Sequence, residues 1–289
     1  MKKVLSFIML LLLAFLAGTV SGQKKHNNIT RVLCADSIET FVSTPVYFDI
    51  TPPLRQMKEF LPKKEKMEKE KREIENRVNT RYGGLEPFIL QEDPVWQKQD
   101  GTYLPQTPGP IANSEGVGNL SGVMPPDTQG DVGTDKYIQV VNSNFAVYSK
   151  AGAVVMGPLA LHTIWQGIPY PWSGRDDGDP IVLYDQAAQR WLISQFALPT
   201  GQQAILVAIS QTSDPTGSWY RYVFNFTTTM PDYPKFGVWP DGYYVSFNQF
   251  NGSSGVGACA LDRAKMLIGD PTALPVSYTH LTLPTNREV

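Results

Sequence analysis

The densest group of side chains able to do chemistry is Arg175-Asp176-Asp177-Gly178-Asp179. Three carboxylates around a glycine supply the hard oxygen ligands that Ca²⁺ takes, so Asp176, Asp177 and Asp179 form a candidate calcium site. The spacing does not match an EF-hand loop. The alternative is a turn whose Asp side chains accept backbone N–H bonds. Just upstream, Trp165, Tyr170 and Trp172 sit in a loop-like stretch. Aromatic rings beside carboxylates can stack on a sugar or a peptide, or they can plug the space between neighbouring sheets. Trp172, Arg175, Asp176, Asp177, Asp179 and Asp232 are the residues expected to contact a ligand. Asp232 joins this set through a repeat: Asp131, Asp179 and Asp232 open similar stretches, 48 and 53 residues apart. Such carboxylates either accept N–H bonds in their own turns or gather into a ring that binds a cation or a basic ligand. The proline after Asp179 favours the local role.

Several chemistries are not supported. The chain has 289 residues and a net charge of −2, without the basic bias that nucleic acid selects. Neither a phosphate-binding Gly-x-x-x-x-Gly-Lys loop nor a Gly-x-Ser-x-Gly elbow occurs, so nucleotide binding and serine-hydrolase chemistry are not expected. The two cysteines, Cys34 and Cys259, form no Cys-x-x-Cys motif, and His26 and His162 are the only histidines before residue 276. A zinc or redox site is therefore not expected, and a Cys34–Cys259 disulfide is left open.

Asp179-Pro180 and the Asp214-Pro215-Thr216-Gly217-Ser218-Trp219 turn are similar to segments of five-bladed glycoside hydrolases. The resemblance implies that an Asp-Pro carboxylate assists a catalytic pair, one member of which must stay protonated. That acid is a Glu in the enzymes resembled, and this chain has no Glu between Glu115 and Glu288. An acid would have to be an Asp or lie outside this sequence. The Asp214 turn also approaches the Asp-box of sialidases, with Gly217 displaced by one position; that box is a structural hairpin and does not report catalysis.

The elements that position these residues are β-strands. Asp179 to Phe196 reads as strand, turn, strand: Ile181 to Tyr184 is apolar, Asp185 to Arg190 is polar, and Trp191 to Ile193 begins the return. Asp232 to Asn248 follows the same plan, and the stretch from Asp131 is a weaker version. Further strands are expected at 137–141, 144–148, 204–210, 219–226, 243–247 and 257–261, with one helical turn at 262–267. A period of about 50 residues is that of propeller blades, which makes the fold class all-β, an incomplete β-propeller of about three blades.

Ahead of it, residues 1–22 have a charged start, an apolar run and small residues before Gln23, the pattern of a cleaved secretory signal. Residues 23–122 read as an N-terminal extended and helical segment with a linker. Thr51-Pro52-Pro53 opens a short helix over 54–61, and 63–81 is a charged, solvated helix with a thin apolar seam. Residues 51–82 are accordingly expected to be dispensable for the fold. The partial propeller spans 123–275. Val276-Ser277-Tyr278-Thr279-His280-Leu281 can be encoded by a transposase adapter used in sequencing libraries. Residues 276–289 are thus expected to be a non-native tail on an N-terminal fragment, since a closed propeller needs at least four blades.

Five segments, at 126–133, 178–185 with Arg190-Trp191, 214–220, 232–241 and 261–267, carry a resemblance to a group of uncharacterised secreted bacterial β-propeller proteins. The resemblance covers about half the chain and implies fold and secretion, not an activity. The expected function is a secreted or cell-surface, non-enzymatic binding or adhesion module for a glycan or an extracellular protein. It needs no cofactor unless Ca²⁺ binds, and no membrane span is expected after signal cleavage. A glycoside hydrolase-like propeller is the alternative.

Overall fold

The structure is a computed structural model describing residues 25–26, 29–33, 39–63, 109–250 and 255–279. The expected signal segment, Cys34, the charged helix beyond Lys63 and the chain after Thr279 lie outside the described residues. Two compact units are distinguished, Met1–Glu65 with Ser114–Val289, and Lys66–Asn113. Of the second, only residues 109–113 are described, and they are exposed.

The first unit is all-β. Four short strands come first: β1 (Lys25–His26), β2 (Ile29–Leu33), β3 (Glu39–Ser43) and β4 (Tyr47–Ile50). Three antiparallel meanders follow. The first is β5 (Gln129–Val132), β6 (Lys136–Val141), β7 (Asn144–Ser149) and β8 (Val154–Ala160). The second is β9 (Gly178–Asp185), β10 (Arg190–Ala197), β11 (Gln203–Ser210) and β12 (Trp219–Thr227), with β4 added beside β12. The third is β13 (Met230–Val238), β14 (Tyr243–Phe250), β15 (Gly255–Leu261) and β16 (Pro275–Thr279), continued by β3, β2 and β1. A short helix, α1 (Arg263–Ile268), precedes β16; Asp262 caps it by accepting from Lys265 N, and Gly269 ends it at φ 70°. None of the three sheets closes on itself.

The expected strand–turn–strand at 179–196 is the β9–β10 hairpin, with Trp191 opposite Tyr184 and Leu192 opposite Leu183. Asp185 makes its turn by accepting from Ala188 N at 3.0 Å. Strand alternation then sorts side chains into two cores. Leu206 and Ala208 of β11 face the first sheet's cluster with Trp165, Trp191 and Trp219. Ile205, Val207 and Ile209 face the third sheet's cluster with Tyr222, Tyr243 and Phe247. The second sheet is thus covered on both faces, which explains why β10 and β11 are buried along nearly their whole length. In contrast β14 alternates buried and exposed residues, and leaves Tyr244 and Phe250 on an open face. The first strands are neighbours: β9 packs against both β5 and β13.

The Asp214 turn is structural, as expected. Asp214 Oδ1 accepts from Thr216 N and Oγ1 at 3.0 and 2.8 Å, and the buried Trp219 donates its indole N–H to Pro215 O at 2.9 Å.

The N-terminal segment differs from expectation. Instead of a helix over 54–61, a single 3₁₀ turn, Leu54–Gln56, forms. Extended backbone on either side bonds to the body: Thr51 N donates to Trp219 O, Leu54 N to Gly217 O, and Phe60 O accepts from Ala160 N. Leu54 is buried in the first core. A continuous helix would have turned these groups inward on itself. Residues 51–60 are therefore part of the packed body, and a deletion of 51–82 does not remove only solvated chain. Pro275–Thr279 pairs with both β15 and β3. An open edge offers unpaired backbone groups to any short β-prone segment, and Val276-Ser277-Tyr278-Thr279 is one, whatever its origin.

Candidate functional site

The starts of β5, β9 and β13 lie together, with one Asp just before β5 and one near the start of each of the other two. These are Asp127, Asp179 and Asp232, 52 and 53 residues apart. Asp127 shares a side-chain hydrogen bond with Asp179, and Asp232 adds its charge to the same carboxyl. All three are half-buried. The backbone repeats as well: Asp127 and Asp179 have φ of 40° and 47°, and in the third strand the kink falls on Tyr233, at 51°. That kink aims Tyr233 N at Asp179 Oδ2, 3.1 Å away. Asn142 bridges from the first sheet, donating to Asp127 Oδ2 at 3.2 Å. Gly178 lets it approach, since a Cβ there would stand 2.6 Å from Asn142 Oδ1.

Asp131 is not part of this group. Its Oδ2 accepts from Tyr184 N at 2.7 Å, and its Oδ1 from Val132 N at 2.7 Å, so it stitches β5 to β9. The repeat is carried by Pro126-Asp127, Gly178-Asp179 and Pro231-Asp232, and aligning on Asp131 displaces the first copy by four residues.

Asp179 has its pKa pushed up to about 7 by burial, by the charge and hydrogen bond of Asp127, and by the charge of Asp232; the Tyr233 N–H opposes the rise. Near neutral pH this carboxyl is therefore in mid-titration instead of fully ionised. Between the ordinary value of 3.8 and about 7, the folded state keeps a proton that the unfolded state loses. Stability contributed by this carboxyl is therefore present at low pH and lost as pH rises through 7. Asp179→Asn is expected to raise the melting temperature most at pH 8, less at pH 5, and to leave it nearly unchanged at pH 3, below the ordinary value of 3.8. Partial solvent exposure keeps the gain below the full value of the shift. Equal melting of the two proteins at all three pH values would remove the raised-pKa reading.

The other predicted site residues are dispersed. Asp176 accepts from His162 N at 2.7 Å, and its other oxygen lies 2.6 Å from His162 Nδ1. Asp177 Oδ2 accepts from Arg175 Nε at 2.5 Å and from Leu198 N at 2.6 Å. Among the described residues no three His, Cys, Asp or Glu side chains are placed to hold a metal ion. Asp176, Asp177 and Asp179 thus do not form the calcium set that their adjacency suggested, because each turns to a different backbone partner. Trp172 is a core residue, 7% exposed, with its indole N–H donated to Gln202 O at 2.8 Å. Trp165 is fully buried, whereas Tyr170 is exposed. Cys259 is buried in β15.

A second feature lies at the far ends of the same strands, six residues or roughly 20 Å along β9 from Asp179. A cleft of about 290 Å³ opens between the turns that follow β9 and β13. Its walls include Tyr184, Gln186, Ala187, Trp239, Pro240 and Arg263. Trp239 is 67% exposed, the only exposed Trp among the described residues. Beneath it Asp185 is fully buried. Asp185 accepts from Arg263 Nε and Nη2 at 2.6 and 3.0 Å and from Tyr243 Oη at 2.9 Å. Burial alone would raise the Asp185 pKa, but the bonds from Arg263, Ala188 N and Tyr243 outweigh it and hold the group below its ordinary value. Asp185 in turn raises the Arg263 pKa, so both partners stay charged. Sequence reasoning placed Asp185 only in a turn and passed over Trp239 and Arg263; the Trp239-Pro240-Asp241-Gly242 turn after an apolar strand was the available signal.

No helix among the described residues is long and apolar enough to cross a membrane. Comparison with family models, with curated proteins and with solved structures finds no match to this chain.

Proposed function

We propose that the three meanders are blades of a β-propeller belonging to a secreted or cell-surface protein, and that it acts as a non-enzymatic binding module for a glycan or a protein. The blade reading is supported by three meanders whose first strands adjoin one another and whose opening Asp residues recur every 52 and 53 residues. The observation that carries the binding function is the cleft at the ends of β9 and β13. There an exposed indole and a carboxylate already occupied by Arg263, Tyr243 and Ala188 line the same cleft. That arrangement offers a contact surface with no free acid or base. Incubating the 289-residue chain with glycan and extracellular-protein arrays should give retention without turnover of the retained ligand.

A second reading has its own observation. Asp179, whose pKa is pushed up to about 7, stands beside Asp127 and Asp232, so a carboxyl able to act as an acid sits within a cluster of carboxyl groups. Turnover of a polysaccharide, abolished by Asp179→Asn with binding retained, would replace the first reading with this one.

A further inference from the structure

We infer that the cleft beneath Trp239 is a subsite for a neutral pyranose ring of an oligosaccharide. This deepens the binding reading above and rests on it.

The backbone that carries the indole is tied into a closed turn. Trp239 N donates to Gly242 O at 3.0 Å and Gly242 N to Trp239 O at 3.3 Å, so the four-residue turn is closed by two reciprocal bonds. Pro240 fixes a further backbone angle inside it. The turn presents the exposed Trp239 indole, whose flat apolar face suits the C–H face of a pyranose. The residue is 67% exposed.

The polar wall is built for hydroxyl groups, not for charge. Gln186 is exposed and brings both a donor and an acceptor. The Arg263 guanidinium is matched by Asp185, and its Nη1 also donates to Pro240 O at 3.1 Å. Its remaining N–H groups can reach a hydroxyl, yet the pair has no net charge with which to hold an anion. The walls are mainly the turns after β9 and β13, with Tyr184 and Val238 at the strand ends and Arg263 at the start of α1. The volume of about 290 Å³ sits at the small end of ligand sites and fits one or two sugar rings better than a protein loop with its flanks.

The test is a titration of the 289-residue chain with neutral hexasaccharides of β-linked glucose, mannose, xylose and N-acetylglucosamine. A hexagalacturonate is the anionic control, and a mixed-sequence peptide library is the third arm. Tryptophan fluorescence and calorimetry are read together. At least one neutral sugar should bind and shift the emission to the blue. Trp239→Ala should weaken that binding about tenfold or more, the loss expected of a stacking contact, and Trp239→Phe should keep it within about threefold. Gln186→Ala should weaken it by a smaller factor. Neither residue is buried, so the melting temperatures of the variants should match that of the parent.

Binding of a neutral sugar that is indifferent to Trp239→Ala overturns the subsite and leaves the binding reading standing. Retention of hexagalacturonate or peptide alone has the same result. If no probe binds and the arrays are also empty, both readings fall.

Discussion

Arg221→Ala is expected to cost about 3–5 kcal/mol of folding stability and to lower the melting temperature by on the order of 10 °C. Arg221 lies in the middle of β12 with its side chain 3% exposed. It donates to Asp49 through Nε at 2.8 Å and Nη2 at 2.5 Å, a bidentate pair. Its Nη1 serves Ile164 O at 2.8 Å and Gln166 O at 2.7 Å. One guanidinium therefore joins β4, β12 and the loop after β8. Truncation leaves two backbone carbonyls without their donor, and Asp49 with only the Tyr47 hydroxyl at 2.9 Å, in a site that water enters poorly. Asp49→Asn should cost less, because Asp49 is 26% exposed and can recover water. Thermal unfolding followed by circular dichroism measures both. If Arg221→Ala melts within about 2 °C of the parent, less than 1 kcal/mol for a domain of this size, the N-terminal strand is not held by this residue.

Asp185→Ala is expected to be of similar severity, about 3–5 kcal/mol, because it strands the Arg263 charge over a core. The carboxylate's side chain is 1% exposed, and it ties the β9 turn to β14 and to the start of α1. Tyr243 stays protonated as its donor: burial first, then the Asp185 charge and hydrogen bond, raise the phenol far above its usual range. The direction of the Asp185 shift sets a pH signature. Its folded pKa is depressed, so its contribution is present above the ordinary carboxylate range and is lost as pH falls through the folded value. The parent should lose stability on acidification in that window, and Asp185→Asn should be lower at neutral pH and flatter in acid. This trend is opposite in sign to that of Asp179, whose contribution is lost as pH rises. An unchanged acid limb in Asp185→Asn would mean that Asp185 is not a major source of acid sensitivity.

Local patterning was enough to identify the strands. Ile181 to Tyr184, Ala204 to Ser210 and Tyr243 to Phe247 are apolar or alternating runs bounded by Asp, Gly and Pro, and each lies within a strand of the structure. The Asp-headed starts near 50 residues apart marked where successive antiparallel meanders begin. Backbone preference and burial period act within a few residues, so they leave their trace in adjacent letters.

The sites were less legible, because they depend on which distant residues meet. Asp131 and Asp127 are both acids at the start of β5, and only the convergence of three strands shows that Asp127 is the one beside Asp179. Asp176, Asp177 and Asp179 are neighbours in sequence, but the backbone there sends each to a different partner. Trp172 and Trp239 look alike as loop tryptophans; packing between sheets buries the first, while a closed turn at a strand end leaves the second exposed. The pairing of β4 with β12 joins residues about 170 positions apart, such as Asp49 and Arg221. Sequence alone determined most strands of the three meanders, since local backbone preference suffices for them, but not Val154–Ala160 or Pro275–Thr279. The assignment of each carboxylate and each indole to core, link or surface was decided by tertiary structure, because contacts made across sheets set burial and charge.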